Sequence, residues 1–190
     1  MQSVVNQNYS DFEYIIIDGG SSDNSVDVIN KYSDKIDYWV SEPDKGIYNA
    51  MNKGIQQAHG EYLLFLNSGD ELLGPDSLSS INNFLKVEDI IYTNLIIKDS
   101  QSEYVRKYPE KLSFNYFLSD SLPHPATFIK KSLFERLGNY YEDLKICSDW
   151  AFFINAICKY NATFKYYDIN LNHFYIMAFN YYQNSNLTIY

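Results

Sequence analysis

Three short apolar runs, residues 13–18, 37–41 and 61–66, each stop at a loop carrying aspartate and glycine and then give way to apolar spacing of helical period. The first run ends in Asp18-Gly19-Gly20-Ser21-Ser22-Asp23, followed by Val26, Val28, Ile29 and Tyr32. The second closes at Pro43-Asp44-Lys45-Gly46, followed by Ile47, Met51, Ile55 and Ala58, with Gly60 ending the helix. The third enters Asn67-Ser68-Gly69-Asp70, and Pro75-Asp76 opens a helix with Leu78, Ile81 and Leu85 inward. A fourth apolar run spans 89–98. Runs with little polar alternation are strands covered on both faces, and strand–helix alternation builds βαβ units. The expected class is α/β, with a mainly parallel central sheet flanked by helices. Past Asp99 the rhythm breaks. An aromatic stretch at 114–117 and Leu122-Pro123-His124-Pro125 precede an expected strand at 126–129. Helices at 131–137 and 148–160 and a last strand at 164–167 follow. No linker or shift of composition divides the 190 residues, so one domain is expected.

Charge narrows the partners. Lys and Arg number 15 against 24 Asp and Glu, a net charge of -9, and the only arginines are Arg106 and Arg136. Nucleic-acid binding needs basic side chains on phosphates, so this surface excludes it. A phosphorylated ligand must be held by a metal, a lysine or backbone amides. Cys147 and Cys158 lack metal-ligand spacing and fall in a helical stretch, where they are expected as two buried thiols on one face. The start lacks a basic-then-apolar leader, and no apolar run approaches the roughly 20 residues of a membrane span. A cytoplasmic protein is expected, with peripheral docking on the inner face of a membrane left open.

Ligands of open parallel sheets bind beyond the carboxyl ends of the strands. Asp18, Asp44 and Asp70 all follow such ends. Three neighbouring carboxylates repel one another unless a cation or hydrogen-bond donors hold them. Such an edge suits a hard divalent cation and, through it, a diphosphate. Simple loop capping accounts for each aspartate equally well on the residues alone.

The motifs themselves carry a resemblance. Phe12-Glu13-Tyr14-Ile15-Ile16-Ile17-Asp18-Gly19-Gly20-Ser21-Ser22-Asp23-Asn24-Ser25 resembles the nucleotide-binding segment of family 2 glycosyltransferases, which have the GT-A fold. Ser41-Glu42-Pro43-Asp44-Lys45-Gly46-Ile47-Tyr48-Asn49-Ala50-Met51-Asn52-Lys53-Gly54 is similar to the family's next signature. Asn67-Ser68-Gly69-Asp70 corresponds to its metal-binding DxD motif. Pro123-His124-Pro125-Ala126-Thr127-Phe128 and Ser148-Asp149-Trp150-Ala151-Phe152-Phe153 resemble its acceptor-side strand and base-carrying helix.

The resemblance implies a sugar transfer from a nucleotide-diphosphate donor, UDP-linked, to a glycan or lipid-linked acceptor in polysaccharide assembly. Asp18 would bind the base, and Asp44 with Lys45 would lie near the ribose and phosphates. Asn67 and Ser68 would orient ribose or sugar, and Asp70 would bind Mg2+ or Mn2+. Asp149 would act as general base in a single inverting displacement, with His124 and Trp150 on the acceptor side. On the residues alone, Asp149 also reads as a helix N-terminal acid favoured by the macrodipole, and His124 as a structural hydrogen-bonder. Tyr48 and Trp150 also read as packing, and Asp120, Glu142 and Asp143 as solvated acids.

Family members begin with an apolar strand ahead of the segment at 3–9. The domain is therefore expected to be N-terminally truncated, with residues 1–98 the nucleotide-sugar-binding half and 99–190 the acceptor-side half. The strand at 13–18 would then keep an open edge. Residues 176–190, rich in Asn and Tyr, differ from the family's closing segment. The rival expectation is an inactive remnant that binds nucleotide sugar or a partner protein. A nucleotidyltransferase would want a glycine-rich phosphate loop with a basic residue near the start, and none is visible.

Overall fold

The computed structural model describes residues 1–99 and 101–175, and the backbone of 187–189. In chain order the elements are α1 (Gln2–Val5), β1 (Ile15–Asp18), α2 (Ser25–Lys31), β2 (Tyr38–Ser41) and α3 (Ile47–Gln57). Next come β3 (Tyr62–Leu64), β4 (Leu66–Asn67), β5 (Glu71–Leu72), α4 (Ser77–Asn82), β6 (Ile90–Lys98) and β7 (Glu103–Arg106). The later part adds α5 (Phe114–Phe117), β8 (Thr127–Lys130), α6 (Lys131–Leu137), α7 (Ser148–Ile154), β9 (Phe164–Tyr175) and β10 (Leu187–Ile189).

The strands form two sheets ordered β2-β1-β10-β4 and β3-β8-β6-β9-β5, with β7 added on β6. Only Phe65 separates β3 from β4, so the chain itself joins the sheets. Pleating sends alternate side chains to opposite faces. In β1, Ile15 and Ile17 join a core with Met51, Phe65, Ile129 and Phe153. Ile16, from the same strand, joins Tyr14, Ile29, Ile81, Phe128 and Leu171 on the other face. The apolar run thus reads as it does because both faces are covered.

The α/β class stands, but the mainly parallel sheet does not. Among the described pairs, only β1 with β2 and β6 with β9 run parallel. The later part supplies β8, which inserts antiparallel between β3 and β6, and β7, which folds back on β6 as a hairpin partner. Tail residues also pair. Leu187 lies opposite Asp18 and Ile189 opposite Ile16, and the other edge of β10 meets Leu66 and Asn67. The edge expected to stay open along β1 is therefore covered there; residues 176–186 and 190 lie outside the described residues. A 340 Å³ cavity opens beside this strip, lined by Tyr14, Ile15, Leu63, Phe65 and Phe128 among others.

Two elements depart from their expected lengths. The last strand runs on to Tyr175 because a register shift around Asn94 lets it continue along β6. Asn94 holds that irregularity, donating to Asp168 at 2.7 Å and Asn170 at 3.0 Å and accepting from the Tyr166 hydroxyl. The helix expected over 148–160 is α-helical only to Ile154 and continues as a π-turn over Asn155–Lys159. Cys147 precedes its first residue and Cys158 lies in the π-turn, and both are exposed rather than buried. A π-turn adds a residue and rotates the side chains after it, so the spacing of a regular helix fails there. Among the described residues, no helix is long and apolar enough to cross a membrane.

The loop between α6 and α7 has little regular structure of its own and is pinned from α3. The buried Asn52 amide donates to the Tyr140 carbonyl and accepts from the Tyr140 N–H, both at 3.0 Å. Asn52→Ala removes both buried bonds and is expected to cost about 1–3 kcal/mol. Thermal melting should show that as a fall of about 2–4 °C per kcal/mol.

Candidate active site

Asp18 has no exposed surface at the end of β1. Its carboxylate accepts from the amides of Gly20 and Ser21 at 3.2 and 3.0 Å and from the hydroxyls of Ser21 and Ser41, each at 2.5 Å. Burial alone would raise its pKa, but the Ser21 and Ser41 hydroxyls and the two amides outweigh it and hold the group below its ordinary value. Gly20 sits at φ +85°, and a Cβ there would meet the Pro43 nitrogen at 3.2 Å. The first loop therefore lies directly on the second, which a larger residue would prevent. In that second loop Asp44 accepts from the Gly46 amide at 2.8 Å, and Lys45 is exposed. Lys53 pairs with Glu42 at 2.7 Å.

Asn67 and Asp70 form the next turn. One strand, β10, lies between Asp18 and Asn67, a separation of two inter-strand steps or about 10 Å. Asp70 is buried and accepts from the Asn67 amide at 2.8 Å. Burial pushes its carboxyl up to about 7, against that one hydrogen bond. The buried Asn67 Oδ1 has no partner among the described residues. A buried carboxyl short of donors beside an orphaned amide oxygen fits a hard cation with oxygen ligands. Among the described residues no three Asp, Glu, His or Cys side chains gather around one point. A cation here would therefore complete its shell from a bound ligand or water.

The residues expected on the acceptor side converge from the later part of the chain. Asp149, in the first turn of α7, accepts from the Tyr48 hydroxyl at 2.6 Å. Tyr48 lies in the first turn of α3, directly after the loop that closes β2, so this bond brings Asp149 to the same sheet edge as Asp18. Trp150 is half-buried and donates from its indole to the Phe117 carbonyl at 3.0 Å, tying α7 to α5. His124 is buried, stacks on Phe65 with ring centroids 4.9 Å apart, and meets the Tyr140 hydroxyl at 2.9 Å. Burial lowers its pKa, against the pull of the Asp149 charge, and it is neutral near pH 7. Its place is in the aromatic packing behind Asp149.

Several residues acquire partners that spacing did not suggest. Glu142, expected to be solvated, accepts from Asn49 at 2.9 Å and Asn52 at 3.0 Å. Asp120, also expected to be solvated, takes Arg106 on both oxygens at 2.6 Å. For Glu142 the signal lay in its partners, Asn49 and Asn52, three apart on one face of a helix start; Asp120 had none.

Asp70 makes stability depend on pH in metal-free buffer. Its folded pKa lies above its unfolded value, so the native state binds the extra proton between about pH 4 and 7. Stability from this group is present at low pH and is lost as pH rises through 7, with a slope of at most about 1.4 kcal/mol per pH unit. Urea midpoints of the wild type should fall more steeply over that range than those of Asp70→Asn. Parallel curves would contradict it.

Known proteins bear on this arrangement. Residues 1–155 match the model of glycosyl transferase family 2. A PGL/p-HBAD biosynthesis glycosyltransferase of Mycobacterium bovis is 28% identical over 163 residues, covering 82% of this chain and 62% of that protein. An uncharacterised glycosyltransferase of Rickettsia typhi is 34% identical over 163 residues, covering 79% and 51%. This chain thus spans about half to three-fifths of the length of those relatives. Among solved structures, Staphylococcus aureus TarS 1–349 in complex with UDP superposes with a TM-score of 0.72 at 20% identity, covering 96% of this chain and 57% of TarS. The mannosyltransferase PcManGT of Pyrobaculum calidifontis, in complex with GDP-Man and Mn2+, gives 0.68 at 14%, covering 95% and 53%. The two likenesses establish the GT-A fold, and the match over most of the chain establishes the family: this protein belongs to glycosyl transferase family 2.

Proposed function

We propose that the chain transfers a sugar from a UDP-linked donor to a hydroxyl of a glycan or lipid-linked acceptor, with inversion at the anomeric carbon. The observation that supports this most is the Tyr48–Asp149 bond at 2.6 Å, which sets a carboxylate from the second half against the donor edge of the first. Neighbours in complex with UDP and with GDP-Man support a nucleotide-sugar donor.

Each step assigns a role to a residue here. Asp18 and its loop receive the base, while Asp44 and Lys45 flank the ribose and phosphates. Asn67 and Ser68 orient the ribose or sugar. Asp70, with the Asn67 Oδ1, would hold Mg2+ or Mn2+, which when bound neutralises charge on the leaving diphosphate. Asp149 takes the proton of the acceptor hydroxyl as its oxygen bonds to the anomeric carbon. The bond from that carbon to the diphosphate breaks, and the nucleoside diphosphate leaves with the electron pair. Trp150 borders the acceptor side and His124 supports it from the core. The acidic surface, with its two arginines, leaves the diphosphate charge to the cation and to Lys45. Peripheral docking at a membrane's inner face would suit a lipid-linked acceptor.

UDP release from a panel of UDP-sugars with Mn2+ tests the reading. Asp149→Asn should lower turnover by about 10²-fold or more while UDP still binds. Turnover of Asp149→Asn equal to the wild type would overturn the assignment. UDP binding without turnover of any donor by the wild type would favour the remnant that only binds nucleotide sugar.

A further inference from the structure

The first turn of α3 does more than follow the donor loop. Tyr48 is 6% exposed, and its hydroxyl donates to Asp149 Oδ1. The bond crosses to the start of α7, where Asp149 lies in the first turn. The residue before that helix, Cys147, offers no side-chain cap. Burial, and then the Asp149 charge, hold the phenol far above its ordinary pKa, so it stays a donor at any working pH.

A second row of contacts fixes this arrangement from behind. Asn49 and Asn52 both donate to Glu142, and Asn52 also pairs with the backbone of Tyr140. The Tyr140 ring lies 5.6 Å from that of Tyr48 and meets His124 at its hydroxyl. Residues 48, 49 and 52 of one helix therefore hold the segment at 140, 142 and 149. The phenol bond draws charge from Oδ1, which leaves Oδ2 the more basic oxygen for the substrate proton.

We infer that Tyr48 is a positioning residue for Asp149, fixing which carboxylate oxygen faces the acceptor hydroxyl, with Asn49, Asn52 and Glu142 holding the frame. The inference rests on Asp149 as general base. Small displacements of a reacting group are costly in rate, whereas donor binding at Asp18 and Asp70 does not involve this phenol.

Tyr48→Phe keeps the ring and removes only the hydroxyl. UDP-sugar turnover with Mn2+ should show kcat lower by about 10–100-fold with the donor KM changed less than about 2-fold. In the Asp149→Asn background the same substitution should change the residual rate by less than about 2-fold, because there is no longer a base to position. An equal loss of kcat in both backgrounds, or an effect confined to KM, would overturn the inference. Thermal melting reads the coupling without turnover, so it separates this inference from the reading of Asp149 as base. The Tm losses of Tyr48→Phe and Asp149→Asn should be less than additive in the double variant, and strict additivity would show that the two groups do not act together.

Discussion

Burying the Asp18 carboxylate at the end of a strand covered on both faces is the constraint that organises the edge where the first two loops meet. A buried charge is tolerated only when hydrogen-bond donors replace the water it has lost. Here two amides and the Ser21 hydroxyl of its own loop, with the Ser41 hydroxyl at the end of β2, do so. Satisfying Asp18 therefore folds the first loop back on itself and ties the end of β2 to the end of β1. Gly20 lets the two loops touch.

Asp70 has the opposite environment. It is as buried as a core residue but accepts one described hydrogen bond, and its neighbour Asn67 has an oxygen with no partner among the described residues. One aspartate of the edge is satisfied by four donors and the other by one described hydrogen bond. Helix α3 joins this edge to the second half, since its first turn follows the β2 loop and its polar face reaches Tyr140, Glu142 and Asp149.

Much of this was legible in the chain. The positions of β1, β2, α3, α6 and the start of α7 follow from apolar period and glycine punctuation, because local burial patterns dictate them. The antiparallel insertion of β8 between β3 and β6 was not legible, since strand order depends on contacts between distant segments. The run of β9 to Tyr175 depends on Asn94 holding a register shift against Asp168 and Asn170, partners more than seventy residues away. Cys158 was misplaced because the π-turn breaks the helical period on which its expected burial rested. Asp18 and Asp70 stood out by position at strand ends, whereas Asp149 was singled out only by the motif resemblance, since its place at a helix start reads equally as an N-terminal acid. Glu142 and Asp120 did not, because an acid gives no local sign of a partner brought to it by folding.

The most direct test of the nucleotide edge is the binding of UDP, measured by calorimetric titration with and without Mn2+, for the wild type and for Asp70→Ala and Asp149→Asn. The account predicts Mn2+-dependent binding by the wild type, its loss in Asp70→Ala and its retention in Asp149→Asn. Binding that ignores Mn2+ and survives Asp70→Ala would contradict it, as would the absence of UDP binding by the wild type.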